Sequence, residues 1–416
     1  MDGSKGAGIG ARVPRLEDDR YLRGRGKYIG DIKLSGMKEV AFLRSPVAHG
    51  RIRGFDIPEN LRSQVTIAAD MDGVKAIRAV TALPGFNVSE QPALATDKVR
   101  YVGELVAMCL APDRAKAEDI VQQISVGIEE LTAIHDMVQA RDAGTPLIHE
   151  QWNENVFLES VVDDPKFDEI AAKAPVKVTR TFRTARQCMS PIEGRGVVAE
   201  WDSRLEQLTV FSASQMPHIV RTGLSECLGL DHGKVRIIAP DVGGGFGYKG
   251  ILLPEEVAIC WLAMQVRHPV RWIEDRREQL IANANCREHH YVVTAHAEET
   301  GKLVALEATA HVDSGAYSAY PFSACLEAAQ VGSILPGPYD FEAFRCRTWS
   351  SCTNKPPILP YRGVARTGVC FAMELMLDAI AREVGKEPCE IRQMILVPPE
   401  AMPFDSITAK HFDSGD

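Results

Sequence analysis

The sequence predicts an α/β protein built from more than one unit, and three observations carry that expectation. Strand-like runs alternate with amphipathic helical segments along most of the chain. A stretch with Gly144 and Pro146, residues 140–146, separates a small α/β unit from a much longer one. A glycine cluster at 243–247 then joins a β-type run to a helix that opens at Pro254. The length of 416 residues fits two or three domains, and 45% apolar with 25% charged residues is an ordinary globular composition.

The first 20 residues are polar and glycine-rich and read as an extended arm. Residues 38–55 and 74–81 alternate as strands do, and 99–109 form a buried-strand pattern interrupted once, by Gly103. Pro112 and Asp113 open a helix whose apolar face carries Ala115, Ala117, Ile120, Val121 and Ile124, and a strand at 125–131 follows. These elements make a first unit over 21–138. The second, 150–416, has strands at 176–183, 196–201, 207–212 and 235–240. A helix from Pro217 presents Ile219, Val220, Leu224, Cys227 and Leu228 on one face and stops at Gly229. Pro254, Glu255 and Glu256 suit a first helical turn, with carboxylates at the positive end of the helix dipole. That helix runs to about 266, and 269–273 returns as a strand. Residues 292–297 and 303–312 pair as a hairpin, and a last helix spans 371–384 with Gly385 as its stop.

Composition removes several function classes. A net charge of -9 argues against nucleic acid or an anionic membrane surface as the main partner. The most apolar stretch, 251–266, is interrupted by Pro254, Glu255 and Glu256, so no membrane span is expected. The basic, glycine-rich N-terminus has no apolar core of a secretory signal, and the cytoplasm is the expected compartment. Ten cysteines are spread without one C-x-x-C pair, which disfavours an iron–sulfur or structural zinc site. His289 and His290 are neighbours on a predicted strand and point to opposite faces, so they do not chelate one metal.

The glycine cluster is the most informative segment. Four of the seven positions 243–249 are glycine, and successive amides in such a loop form a concavity for an anion. Gly245-x-Gly247-x-x-Gly250 also fits a dinucleotide fingerprint, with Glu274 and Asp275 as ribose-binding candidates. A fingerprint helix begins inside the motif, however, whereas Pro254 delays this one past the last glycine. A phosphate P-loop fails because no Ser or Thr follows Lys249.

Several further segments stand in order along the chain. They are Arg15-Leu16-Glu17-Asp18-Asp19-Arg20 with Gly26-Lys27-Tyr28-Ile29-Gly30-Asp31, Arg44-Ser45-Pro46 with His49-Gly50, and Val99-Arg100-Tyr101-Val102-Gly103-Glu104. Ser214-Gln215-Met216-Pro217-His218, the glycine loop, Asp313-Ser314-Gly315-Ala316-Tyr317, Thr353-Asn354 and Tyr361-Arg362-Gly363 follow. Together they resemble the molybdenum-cofactor-binding large subunit of the xanthine dehydrogenase, aldehyde oxidase and carbon monoxide dehydrogenase family, over essentially the whole chain.

The resemblance implies an α/β-hammerhead domain followed by the first of two molybdopterin-binding domains. It implies that Gly244, Gly245, Phe246 and Gly247 approach the pterin and the molybdenum centre through backbone amides. Gln215 resembles the glutamine that hydrogen-bonds the apical oxo group, and Arg362 the arginine beside the metal. The resemblance also implies that the metal is held through the pterin dithiolene, with no protein ligand. Gly363 stands where carbon monoxide dehydrogenase carries a cysteine, and Gly250 where xanthine dehydrogenases carry a glutamate, so neither of those activities is expected.

The activity implied is hydroxylation of an N-heterocycle or an aldehyde with oxygen from water. The cofactor is expected in its cytosine dinucleotide form. The chain stops at 416, before the family's second cofactor domain with its catalytic glutamate. A partner chain is therefore expected to supply that half, as in split nicotinate dehydrogenases. A [2Fe-2S] subunit and an FAD subunit would carry the electrons. Within this chain Glu193, Asp241, Glu274, Asp275 and Asp313 are candidate bases, each better explained as a turn, cap or ion-pair residue. Cys188 and Cys286 lack a histidine partner for a nucleophilic role. The alternatives are a dinucleotide-binding dehydrogenase and a non-catalytic truncated or assembly subunit.

Overall fold

The computed structural model describes residues 8–79, 81–283 and 285–415. Two large sheets organise them. One has seven strands in the order Val235–Ile238, Gln207–Ser212, Gly196–Asp202, Val270–Ile273, Lys38–Arg44, Leu105–Ala111 and Val65–Ile67. Strands from both ends of the 140–146 stretch thus share one sheet, joined where Lys38 pairs in parallel with Val270. The other has five strands: Val156–Asp163, Ala343–Cys352, Leu303–Gly315, His289–Ala297 and Val176–Thr184. A small third sheet pairs Gly50–Asp56 with Lys98–Val99 and Ser125–Glu130.

Helices Pro217–Leu228 and Pro254–Val266 cover the seven-stranded sheet. Helix Pro254–Val266 is buried on nearly every side, as expected of a segment apolar all round. Trp272, at 1% exposure, packs edge-on to Phe42 with ring centroids 5.7 Å apart. Burial of each such side chain contributes about 1.5–3 kcal/mol. Helices Leu326–Ile334, Arg366–Val384 and Pro388–Ile395 close the core of the five-stranded sheet.

Several expectations need correction. Residues 74–81 form no strand; Ile77 makes one isolated bridge to Gln91, and residue 80 lies outside the described residues. The apolar run 99–109 is two strands in different sheets, because Gly103 at φ +95° turns the chain between them. Ala115 is exposed rather than on the buried face of its helix. Of the expected arm, residues 1–7 are outside the described residues, and Asp18–Leu22 is a short helix. Strands Val156–Asp163 and Ala343–Cys352 and helices Leu326–Ile334 and Pro388–Ile395 escaped the sequence reading. Among the described residues no helix is long and apolar enough to cross a membrane.

Candidate functional site

The glycine loop leaves strand Val235–Ile238 at the edge of the seven-stranded sheet and re-enters the fold through buried Tyr248 and Lys249. Gln215 comes from the neighbouring strand, in the turn between Gln207–Ser212 and helix Pro217–Leu228. Those two strands pair in parallel, which sets the two turns side by side. The Gln215 side-chain oxygen accepts from the Gly247 amide at 2.9 Å, and the Gln215 amide donates to the Lys249 carbonyl at 2.8 Å. A Cβ at Gly245 would lie 2.4 Å from the Gln215 side chain, so glycine is what admits the glutamine.

The third wall is the segment 360–363. The Arg362 amide donates to the Phe246 carbonyl at 2.9 Å. Gly247, at φ +103°, faces the Pro360 carbonyl so closely that a Cβ would stand 2.1 Å from that oxygen. Arg287 holds this segment from behind, donating to the Tyr361 carbonyl at 3.3 Å and to the Arg362 carbonyl, with its guanidinium 4.2 Å from the Tyr361 ring centroid. The Arg362 side chain is exposed, as is the Phe246 ring. Phe246 sits at φ +58°, an uncommon backbone region for a residue with a side chain. Gln215, the glycine loop and Arg362, far apart in sequence, are thus one continuous surface.

Three successive loop amides, those of Gly244, Gly245 and Phe246, donate to no acceptor among the described residues. Their neighbours are occupied: the Gly243 amide bonds Glu193 at 2.7 Å and the Gly247 amide bonds Gln215. A run of free amides in a glycine-rich turn is a concavity for oxygen or sulfur atoms carrying negative charge.

Electrostatics fix the loop from below. Lys249 is fully buried and pairs with Glu193 at 2.7 Å; burial draws its pKa down, and Glu193 opposes that. In front, Asp241 accepts from Arg20, from the Tyr21 hydroxyl at 2.9 Å and from the Lys27 amide at 2.8 Å. The Arg20 bond is the largest cause holding Asp241 far below the usual carboxylate range. Tyr248 points inward to a buried cluster in which Arg195 meets Glu255 at 3.0 Å, Glu256 at 3.1 Å and Glu274 at 3.4 Å. Burial pushes the Glu256 carboxyl up to about 7.

The five candidate carboxylates are all structurally engaged. Asp275 caps the turn Arg276–Glu278, and Asp313 binds Arg186 at 3.0 Å, Lys355 at 2.8 Å and the Thr353 hydroxyl. With Glu274 buried against Arg195 and Tyr248, no acidic residue is left for a ribose, and helix Pro254–Val266 starts too late to meet a pyrophosphate. The dinucleotide reading fails. His289 is buried between Glu327 at 2.7 Å and Tyr291, while His290 lies on the other face. Lys249 fits no P-loop, and an isolated lysine after a glycine run gives no hint in the sequence of its burial or of its pairing with Glu193.

A family model described as molybdopterin cofactor-binding domain matches residues 148–396. One described as the aldehyde oxidase and xanthine dehydrogenase a/b hammerhead domain matches 23–132. The chain belongs to this molybdopterin-binding family. It is 34% identical over 395 residues to the nicotine 6-hydroxylase large subunit of Paenarthrobacter nicotinovorans, covering 94% of this chain and 48% of the relative. The crystal structure of quinoline 2-oxidoreductase from Pseudomonas putida 86 superposes with a TM-score of 0.91 at 36% identity, over 96% of this chain and 51% of that one. The nicotinate dehydrogenase large molybdopterin subunit of Eubacterium barkeri is 28% identical over 395 residues, covering 92% of this chain and 88% of the relative. Except for that last, the chain spans about half the length of these relatives.

Proposed function

We propose that this chain forms one wall of the active site of a molybdenum hydroxylase that inserts water-derived oxygen at an electrophilic carbon of an N-heterocycle or aldehyde. The observation that carries the reading is the set of free amides at Gly244, Gly245 and Phe246, bounded by Gln215 and Arg362. These donors suit an anionic, oxygen- and sulfur-rich group, and the glycines admit its close approach. The residues that would hold a molybdenum–pterin cofactor are Gly244, Gly245, Phe246, Gly247, Gln215 and Arg362. When bound, that cofactor supplies the oxygen-transfer and two-electron chemistry, and the protein supplies binding, orientation and electrostatics. The loop amides orient it, the side-chain amide of Gln215 donates a hydrogen bond, and the Arg362 guanidinium places positive charge at the open edge.

None of Glu193, Asp241, Glu274, Asp275 and Asp313 is free to act as general base, so we assign that role to the remaining half of the molybdenum subunit. A separate partner chain for that half is supported by the Eubacterium barkeri relative, 88% of which this chain covers. The domain division follows the same reading: a hammerhead domain over 21–138 and a first cofactor domain over 150–416. A cytosine dinucleotide pterin, a [2Fe-2S] subunit, an FAD subunit and a cytoplasmic location complete it. The names of the relatives favour N-heterocycles over aldehydes. The test is to purify the complex through this chain from its host and measure molybdenum and pterin. About one molybdenum per chain is expected; a complex with neither overturns the reading in favour of a non-catalytic subunit.

A further inference from the structure

We infer that Glu193 is a positioning residue for the glycine loop, tying both of its ends to one carboxylate oxygen. Glu193 Oε2 accepts from the Gly243 amide at 2.7 Å and from the Lys249 ammonium at 2.7 Å. Those two donors are the first and last residues of the run 243–249. The Glu193 backbone amide returns a bond to the Gly243 carbonyl at 3.2 Å, and its other oxygen accepts from the Ile29 amide at 3.3 Å. A Cβ at Gly243 would lie 2.5 Å from the Cβ of Glu193, so the contact depends on glycine there.

The clamp continues into the candidate site. The Lys249 carbonyl accepts from the Gln215 amide and from the Ser214 hydroxyl at 3.3 Å, and the Gln215 side chain closes on the Gly247 amide. A circuit of polar contacts therefore runs from Gly243 through Glu193, Lys249 and Gln215 to Gly247. It encloses the three free amides without using them. A run with four glycines in seven residues has an unusually large number of conformations to lose, and something outside it must hold it in one. The Lys249 side chain is wholly buried, and an ammonium there needs its carboxylate. Both oxygens of Glu193 are committed, which removes it from the candidate bases and gives it this role instead.

The inference rests on the proposed cofactor role only for its second readout. The first is hydrogen exchange in the complex purified through this chain. Glu193→Gln strands the buried lysine and can prevent folding, so the deciding variant is Glu193→Gln with Lys249→Met, which removes both charges. In that variant helix Pro254–Val266 keeps its protection while a peptide over 241–250 exchanges about tenfold faster or more. Molybdenum per chain falls several-fold. Unchanged exchange over 241–250 overturns the clamp. Faster exchange with full molybdenum content overturns its positioning role. A wild-type complex that lacks molybdenum overturns the proposed function, and the exchange comparison still judges the clamp.

Discussion

The loop at Gly247 and the loop at Gly315 meet neighbouring parts of one segment in the same way. A Cβ at Gly247 would stand 2.1 Å from the Pro360 carbonyl oxygen, and a Cβ at Gly315 would stand 2.1 Å from that of Pro356. Both have positive φ, +103° and +72°. Their polar groups differ. Around Gly315 the Asp313 carboxylate is fully paired, and Tyr317 is buried with its hydroxyl on Glu104 at 2.8 Å. Around Gly247 three amides have no acceptor among the described residues. Close backbone approach through glycine is therefore packing in one place and a candidate binding surface in the other. The unspent donors separate them.

The largest expected effect tests that contrast directly. Gly315→Ala adds a methyl at a buried strand position, 2.1 Å from the Pro356 carbonyl oxygen, and should cost about 4 kcal/mol or more. Gly247→Ala meets the same obstacle on a partly exposed loop that can shift outward; it should cost about 1–3 kcal/mol and abolish cofactor retention. Denaturant titration of both variants checks this, and equal losses would erase the distinction.

Next in size are the polar partners. Asp313→Asn takes one carboxylate from Arg186 and Lys355, which both keep Glu288, and should cost about 2–3 kcal/mol. Gln215→Ala should cost only about 1 kcal/mol of stability, since its neighbours reach water. On the proposed function it lowers kcat by about a hundredfold. Steady-state kinetics beside a melting curve would separate the two; parallel losses in both assays for Gln215→Ala would make it a structural residue.

A smaller effect concerns pH at the buried loop. Burial pushes the Glu104 carboxyl from 4.5 up to about 7. The unfolded chain releases this proton first, so Glu104 contributes stability that is complete below pH 4.5 and lost as pH rises to about 7. Burial moves His149, whose ring lies 5.6 Å from that of Tyr317, from 6.5 down to about 4. Its contribution has the opposite slope, present above pH 6.5 and lost as pH falls toward 4. Glu104→Gln should unmask the histidine slope, so that stability falls more steeply from pH 6.5 to 5 than in the wild type. Matching urea midpoints at both pH values would contradict the assignment. The smallest effect is at Phe246, exposed and at φ +58°. Phe246→Gly should change stability by less than about 1 kcal/mol, because relieved strain offsets lost contact, and a larger drop in the melting curve would show that the ring packs.

Local chemistry was legible wherever it was self-contained. Pro217 with Gly229, Pro254 with its two glutamates and the hairpin of 292–297 with 303–312 each bound an element through backbone geometry that neighbours do not alter. The expected strand at 74–81 failed because alternation describes a surface, and among the described residues the segment pairs only through the single bridge of Ile77 to Gln91. Strand Ala343–Cys352 was missed because its alternation, with Phe344 and Cys346 buried and Arg345 and Arg347 outward, is short and runs into a stretch, 348–352, that is buried on both faces.

By itself, then, the sequence determined the order of the main helices and hairpins and the presence of a glycine-rich loop. Its motifs pointed to the family. Tertiary structure alone decided which glycine loop stays open and which carboxylates are spent in ion pairs. It also decided that Gln215, Phe246 and Arg362 share one surface. Those are pairings across tens to hundreds of residues, and a hydrogen-bond donor is satisfied or free only with respect to what the fold brings beside it.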